Sequence, residues 1–257
     1  MALIIVLILV FGGSWLYRIY NRQKEAKLIE TVTPLTRGEE SERKVIVYLL
    51  KEGINPKAIF HDVYIPMSGN EYSQVDLAVV TKAGLIIFEI KDYSGWIFGN
   101  ESQKYWTQVL AYGREKHRFY NPIMQNAGHI EAIRRCLPQN PEIPIYSVIV
   151  FFGNCEFRNV TCCADNTFII YPRSVREVVS AILKQPEANY GNKYEIMNLF
   201  TQGVENGNNP TIVSSQHTLA SYYSRNKPRG KMAKTFKPMI PHWSSGNRAW
   251  LFRKNGF

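Results

Sequence analysis

Asp76, Glu89 and Lys91 stand in VDLAVVTKAGLIIFEIKDYSG, residues 75–95, a stretch that reads as two apolar strands around a short turn. An unpaired buried charge costs several kcal/mol or titrates away, so three ionisable groups in such strands call for a chemical role. A four-residue loop Thr81–Gly84, built on a type I turn with Gly84 in the left-handed position, is a common hairpin connection. It sets Asp76 opposite Glu89 and Gln74 opposite Lys91. Opposed residues share a face, with Cβ atoms ~4.5–5.5 Å apart. A two-residue turn at Lys82–Ala83 keeps that pairing. A three-residue loop with a bulge at Gly84 instead sends the carboxylates to opposite faces.

Two carboxylates that close repel unless a cation sits between them. Mg2+ (or Mn2+) is the natural one, since Mg2+ takes one or two carboxylates, keeps waters and binds substrate phosphate. Lys91, two residues beyond Glu89 on the same face, is placed to orient a water or neutralise charge on a phosphoryl oxygen. The plain alternative is a solvated hairpin face with a Glu–Lys surface pair. LIIFEI is apolar on both faces, as in a covered central strand, which weighs against it.

The flanking elements form an α/β layer pattern. SERKVIVYLLKEG is a helix closed by Gly53, AIFHDVYIP a strand, and YSQVDLAVV and LIIFEIK the hairpin around TKAG. GWIFG and KYWTQVL read as short strands. NPIMQNAGHIEAIRRCL is a helix opened by Asn121 with Pro122 at its first position. IYSVIVFFG and TFIIY are further strands, and helical patterns cover 173–184 and 191–202. Domain limits are expected at 1–20 (anchor), 21–36 (tether), 37–203 (catalytic-type domain) and 204–257 (basic, partly disordered segment), with GVENGNNP as a loop.

Asp76 followed thirteen residues on by Glu89-Ile90-Lys91 resembles the PD-(D/E)XK nuclease signature. GEESERKVIVYLL, QVDLAVV, GLIIFEIKDYSGWIFG, YWTQ and NPIMQNAGHI together resemble the nuclease-related domain (NERD) family, from about Gly38 to Leu137. The resemblance implies a restriction-endonuclease-like αβββαβ core and metal-dependent cleavage of nucleic-acid phosphodiesters. By position, Asp76 and Glu89 match the metal carboxylates, Lys91 the catalytic lysine and Glu42 the acid of the first helix. Gln74, Gln108, Gln125 and His129 match other polar positions of the family. Ser41 departs from the glycine the family often has, and it suits a helix N-terminus. Glu42 completes a second metal site or simply occupies a first helical turn, where acids are stabilising. Gln125 and His129 share a helix face; they approach the scissile phosphate, or His129 is a buried, hydrogen-bonded histidine.

Net charge is +10, and residues 201–257 hold nine Lys/Arg against one acid. Aromatic Trp243, Trp250, Phe252 and Phe257 interleave with these basic residues. Such a tail suits nucleic acid, anionic headgroups or solubility alone. Ala2–Tyr17 carries no charge; continued to Tyr20, the run reaches ~30 Å as a helix, a hydrocarbon thickness. Arg18, Arg22, Lys24 and Lys27 follow the run rather than precede it, which favours an uncleaved anchor over a signal peptide and places the remainder in the cytoplasm. Cys136, Cys155, Cys162 and Cys163 lack zinc-ligand spacing and read as reduced thiols.

The expectation is a single-pass, membrane-anchored, metal-dependent nuclease acting on nucleic acid, DNA before RNA. The rival from another class is a non-catalytic, membrane-tethered module of the same fold that binds nucleic acid or a protein partner.

Overall fold

The computed structural model describes residues 2–214 and 250–251, with only the backbone described at 2–10, 70, 111 and 250–251. The sequence ALIIVLILV therefore enters as helix and no more, within α1 (Ala2–Ile29). Among the described residues, no helix is long and apolar enough to cross a membrane. The apolar run that carries the anchor expectation falls largely on side chains outside the described residues. The stretch expected as a tether is helical as far as Ile29, as residues such as Gln23, Lys24, Glu25, Ala26 and Lys27 favour. Lys51 of the next helix holds Glu25 at 2.7 Å.

That next helix, α2 (Glu40–Lys51), buries Val45, Ile46 and Leu49 completely, which stabilises by ~1.5–3 kcal/mol per side chain. Strands β1 (Ile59–Pro66), β2 (Tyr72–Thr81) and β3 (Gly84–Asp92) follow as an antiparallel meander. Helix α3 (Pro122–Cys136) then returns the chain to β7 (Ile145–Phe152), parallel to β3. The expected helix–three-strand–helix–strand order is thus present as α2, β1, β2, β3, α3 and β7. Strand β9 (Thr167–Ile170) and the short β10 (Trp250–Leu251) extend the sheet in parallel, giving the order β1-β2-β3-β7-β9-β10. The remainder of the C-terminal segment, with its basic residues and Trp243, Phe252 and Phe257, lies outside the described residues.

Helices α2 and α4 (Val175–Leu183) cover one face of this sheet, and α3 and α5 (Lys193–Asn206) the other. Every residue of β3 from Gly84 to Ile90 is buried, as a strand covered on both faces requires. Helix α5 runs past residue 203, so the loop expected over GVENGNNP is helical in its first half.

Between β3 and α3 the chain inserts β4 (Gly95–Asn100), β5 (Tyr105–Leu110) and β6 (Glu115–Tyr120). With β8 (Cys155–Thr161) they make a second sheet, ordered β6-β5-β4-β8. Ile97 and Trp106 pack its inner face on Phe151 and Ile149 of the first sheet. Strands β6 and β8 are additions to the sequence expectation. EKHRFY has no apolar alternation, because its charged side chains stay exposed on an edge strand. Asn121 ties this insert to α3: its carboxamide oxygen caps Ile123, and its NH2 donates to the carbonyls of Asn100, Glu101 and Gln103.

Candidate active site

The β2–β3 hairpin turns at Lys82–Ala83, with Thr81 paired to Gly84 and Leu77 to Phe88. That is the expected register, and extended one step it sets Asp76 against Glu89. The ladder ends at Leu77, however, because both β1 and β2 exchange faces here. On β1, Phe60 points to the α3–α5 side, and so do Val63 and Ile65. On β2, Ala78 and Val80 point that way, and so does Val75. Alternation is broken at Asp62 and at Asp76, which stand across from one another between the pairs His61–Leu77 and Val63–Val75.

Asp62 adopts a left-handed backbone (φ 54°), a strained state that persists only where its surroundings hold it. Arg37 supplies that hold, through Nε to Asp62 Oδ2 at 3.0 Å and Nη2 to its carbonyl at 2.8 Å. Gln74 donates to Asp62 Oδ1 at 2.8 Å and pairs with Tyr64. Gln74 therefore does not face Lys91, which corrects the expectation of one four-residue patch.

Asp76 Oδ2 accepts the backbone N–H of Ile90 at 2.7 Å, so a carboxylate takes a donor of β3 beyond the last ladder pair. Glu89 and Lys91 lie on the α3 side, alternating with the core residues Phe88 and Ile90 of the α2 side. Glu89 is 1% exposed; its Oε1 lies 2.5 Å from Lys91 Nζ and its Oε2 lies 3.2 Å from His129 Nε2. Lys91 also donates to Gln125 Oε1 at 3.1 Å. His129 Nδ1 meets Ser73 Oγ at 2.6 Å. A neutral imidazole that donates from Nε2 to Glu89 accepts at Nδ1 from the Ser73 hydroxyl.

These contacts settle the charges. Burial pushes the Asp76 carboxyl well above its usual range, and the negative charges of Glu89 and Glu42 push it the same way. Burial acts likewise on Glu89, but Lys91 and His129 outweigh it and hold that carboxyl below its usual value. Burial opposes the charge on Lys91, and Glu89 and Asp76 more than compensate, raising it. One lysine is thus shared between a carboxyl that holds its proton more tightly than usual and one that holds it less tightly.

Whether a divalent metal fits can be read from the donor set. The buried Oε1 of Glu89 has no hydrogen-bond partner despite the adjacent ammonium, and Asp76 lies within its electrostatic reach. Two hard carboxylate donors, with water and phosphate to complete the shell, suit Mg2+ or Mn2+. A closed cage is absent: no group of three or more His, Cys, Asp and Glu among the described residues is arranged to hold a metal. Glu42 turns instead to His61, with Oε2 at 2.9 Å from Nε2, and also accepts the N–H of Glu39. His61 Nδ1 in turn meets Thr33 Oγ1 at 3.0 Å.

Residues 37–152 match the family model of the nuclease-related domain. The matched segment is a nuclease-related domain. It contains Glu42, Gln74, Asp76, Glu89, Lys91, Gln108, Gln125 and His129. An uncharacterized Bacillus anthracis protein is 28% identical over 156 residues, covering 60% of this chain and 71% of the relative. No solved structure matches the chain significantly.

Within the nuclease-related domain, Gln125 and His129 are brought onto Lys91 and Glu89. Gln108 is not; it lies on β5 and donates to the Ser94 carbonyl at 2.8 Å, bracing the exit of β3. Ser73, His61, Thr33, Asp62 and Arg37 complete the surroundings without having been singled out in the sequence. An adjacent His-Asp pair inside the apolar run IFHDVYIP was the available signal for two of them. All four cysteines are free thiols.

Gly38 fixes the Glu42–His61 pair. Its φ is +63°, and a Cβ there would lie 2.3 Å from Glu42 Oε2 and 2.5 Å from His61 Nε2. Gly38→Ala is therefore expected to destabilise by ~1–3 kcal/mol and to push the His61 ring away from its present position against Glu42. Chemical denaturation and histidine NMR check both, and an unchanged midpoint and ring signal would contradict this account.

Proposed function

We propose that this nuclease-related domain hydrolyses phosphodiester bonds of nucleic acid, DNA in preference to RNA, with Mg2+ or Mn2+ as cofactor. The observation that carries this reading is the convergence of Asp76, Glu89 and Lys91 where β2 and β3 part. Asp76 and Glu89 would hold the metal. Bound there, it would polarise the phosphoryl oxygens and lower the pKa of a coordinated water.

The protein's own groups supply positioning and charge. Because burial strengthens the Asp76 carboxyl's hold on its proton, a divalent ion held there would compete with that proton, and affinity should grow with pH. Lys91, released from Glu89 Oε1, presents its ammonium to a phosphoryl oxygen, where charge builds in the transition state. Gln125 holds that ammonium from the other side. His129, fixed by Ser73, keeps Glu89 Oε2 in place so that Oε1 faces the reaction. Glu42, restrained by His61, adds negative charge beside Asp76.

The apolar run Ala2–Tyr20 supports placing the domain on the cytoplasmic side of a membrane as a single-pass protein. The basic C-terminal segment supports contact with nucleic acid or with anionic lipid. The test is cleavage of labelled DNA and RNA by the purified protein with Mg2+, Mn2+ or EDTA. Cleavage that needs metal and disappears in EDTA is expected. Binding without cleavage in either metal would favour the non-catalytic module instead.

A further inference from the structure

The second sheet turns one face to the first sheet and leaves the other without a partner among the described residues. Cross-strand pairing arranges that outer face in rows. One row runs Glu156, Trp96, Val109 and Lys116; the next runs Asn159, Phe98, Thr107 and Arg118. Tyr105 pairs with Tyr120 beyond them, their rings 6.2 Å apart. Residues in one row share a face. Trp96, Phe98 and Tyr105 are half-buried, join no core cluster of described residues, and so spend their rings on the surface.

Cations lie on these rings. Arg158 is 4.8 Å above Trp96, and Arg118 is 5.2 Å above Tyr105. Glu156 is the one acid in these rows, and Arg158 neutralises it at 3.2 Å. Among the described residues no carboxylate pairs with the exposed Lys116 or Arg118. Aromatic faces interleaved with unpaired cations on an open sheet suit one ligand chemistry: bases that stack and phosphates that need positive charge. A double helix offers no free base faces to such a surface.

We propose that the outer face of the β6-β5-β4-β8 sheet is a docking surface for a single strand of nucleic acid. This deepens the nuclease reading and rests on it for the strand's destination. Strand β4 opens directly after the β3 end that bears Lys91, and Gln108 and the Tyr93–Phe119 ring pair (4.6 Å) lock the two together. A strand held on this face is fed toward the β2–β3 fork by a rigid connection.

The experiment uses the full chain in detergent, carrying Asp76→Asn so that the probe persists. Binding of a labelled oligothymidylate is followed by anisotropy over a range of salt, with and without Lys116→Glu and Arg118→Glu together. The double reversal is expected to weaken binding about tenfold or more and to flatten the log–log salt slope by at least ~1.4. A Lys116→Gln, Arg118→Gln version, which adds no acid, should give a smaller change in the same direction. Melting temperatures establish that each variant is folded. Unchanged affinity and slope in both versions overturn the proposal while leaving metal-dependent cleavage, measured separately on the wild type, untouched. Loss of binding to phosphatidylserine vesicles with oligothymidylate binding intact would also overturn it. Conversely, weakened oligothymidylate binding in a protein that cleaves nothing would retain this face and remove the nuclease.

Discussion

Asp76→Asn is expected to abolish cleavage, by ~10³-fold or more, while raising the melting temperature at neutral pH. The loss of rate follows from removing one of two charged metal donors. The gain in stability follows from the raised pKa of Asp76, whose largest cause is burial and whose next is the charge of Glu89 and Glu42. A carboxyl with a folded pKa above its unfolded one binds protons more tightly when folded. Its contribution is favourable in acid and is lost as pH climbs from the ordinary carboxylate range through the folded value. That loss grows as pH rises above the ordinary carboxylate range and is complete only beyond the folded value, and asparagine, which cannot ionise, escapes it. The side-chain carbonyl still accepts the Ile90 N–H. The melting-temperature gap should therefore close as pH falls below the ordinary carboxylate range. Thermal unfolding across pH, alongside a cleavage assay, checks both halves. Surviving cleavage, or a lower melting temperature at neutral pH, would remove Asp76 from the site.

The second large effect has the opposite sign for stability. Glu89 and Lys91 form a pair in which Glu89 is almost wholly inaccessible, and removing one partner from such a pair leaves an uncompensated charge, at ~3 kcal/mol or more. Glu89→Gln and Lys91→Ala should each destabilise by about that much. The double variant should be less destabilised than their sum by ~1–3 kcal/mol. Lys91→Ala should also lower the rate by ~10²–10³-fold while sparing metal affinity. Denaturation of the four proteins completes the cycle, and additive energies would show that the two side chains do not interact. The depressed pKa of Glu89 adds a pH signature: its stabilisation stands above the unfolded value and is lost as pH falls through the folded one.

Two carboxylates for one fold thus have opposite energetic characters, and that distinction was not legible in the sequence. Composition and alternation sufficed for the α2–β1–β2–β3–α3–β7 order, because apolar periodicity and the Asn121-Pro122 signal are local. The hairpin register was legible for the same reason. The partners of Glu89 were visible as types: Gln125 and His129 on one helix face were singled out, but their contact with Lys91 and Glu89 depends on how α3 crosses the sheet. Gln74 was misplaced because strict alternation was carried through Asp76, and no residue in YSQVDLAVV marks the break. The second sheet was half legible, since its outer strand shows charge where a strand pattern shows alternation.

The opposed breaks at Asp62 and Asp76 also govern how this protein can change over generations. Each break alone would turn Val63 and Ile65, or Val75, out of the core, since a one-residue slip exchanges the faces of a strand. Together they cancel, and the pairing continues in step on both sides. A length change in either strand near this point is therefore accessible only with a matching change in the other. Descendants of this sequence can vary the loop between β1 and β2 freely, but the two aspartates move as a couple or stay where they are.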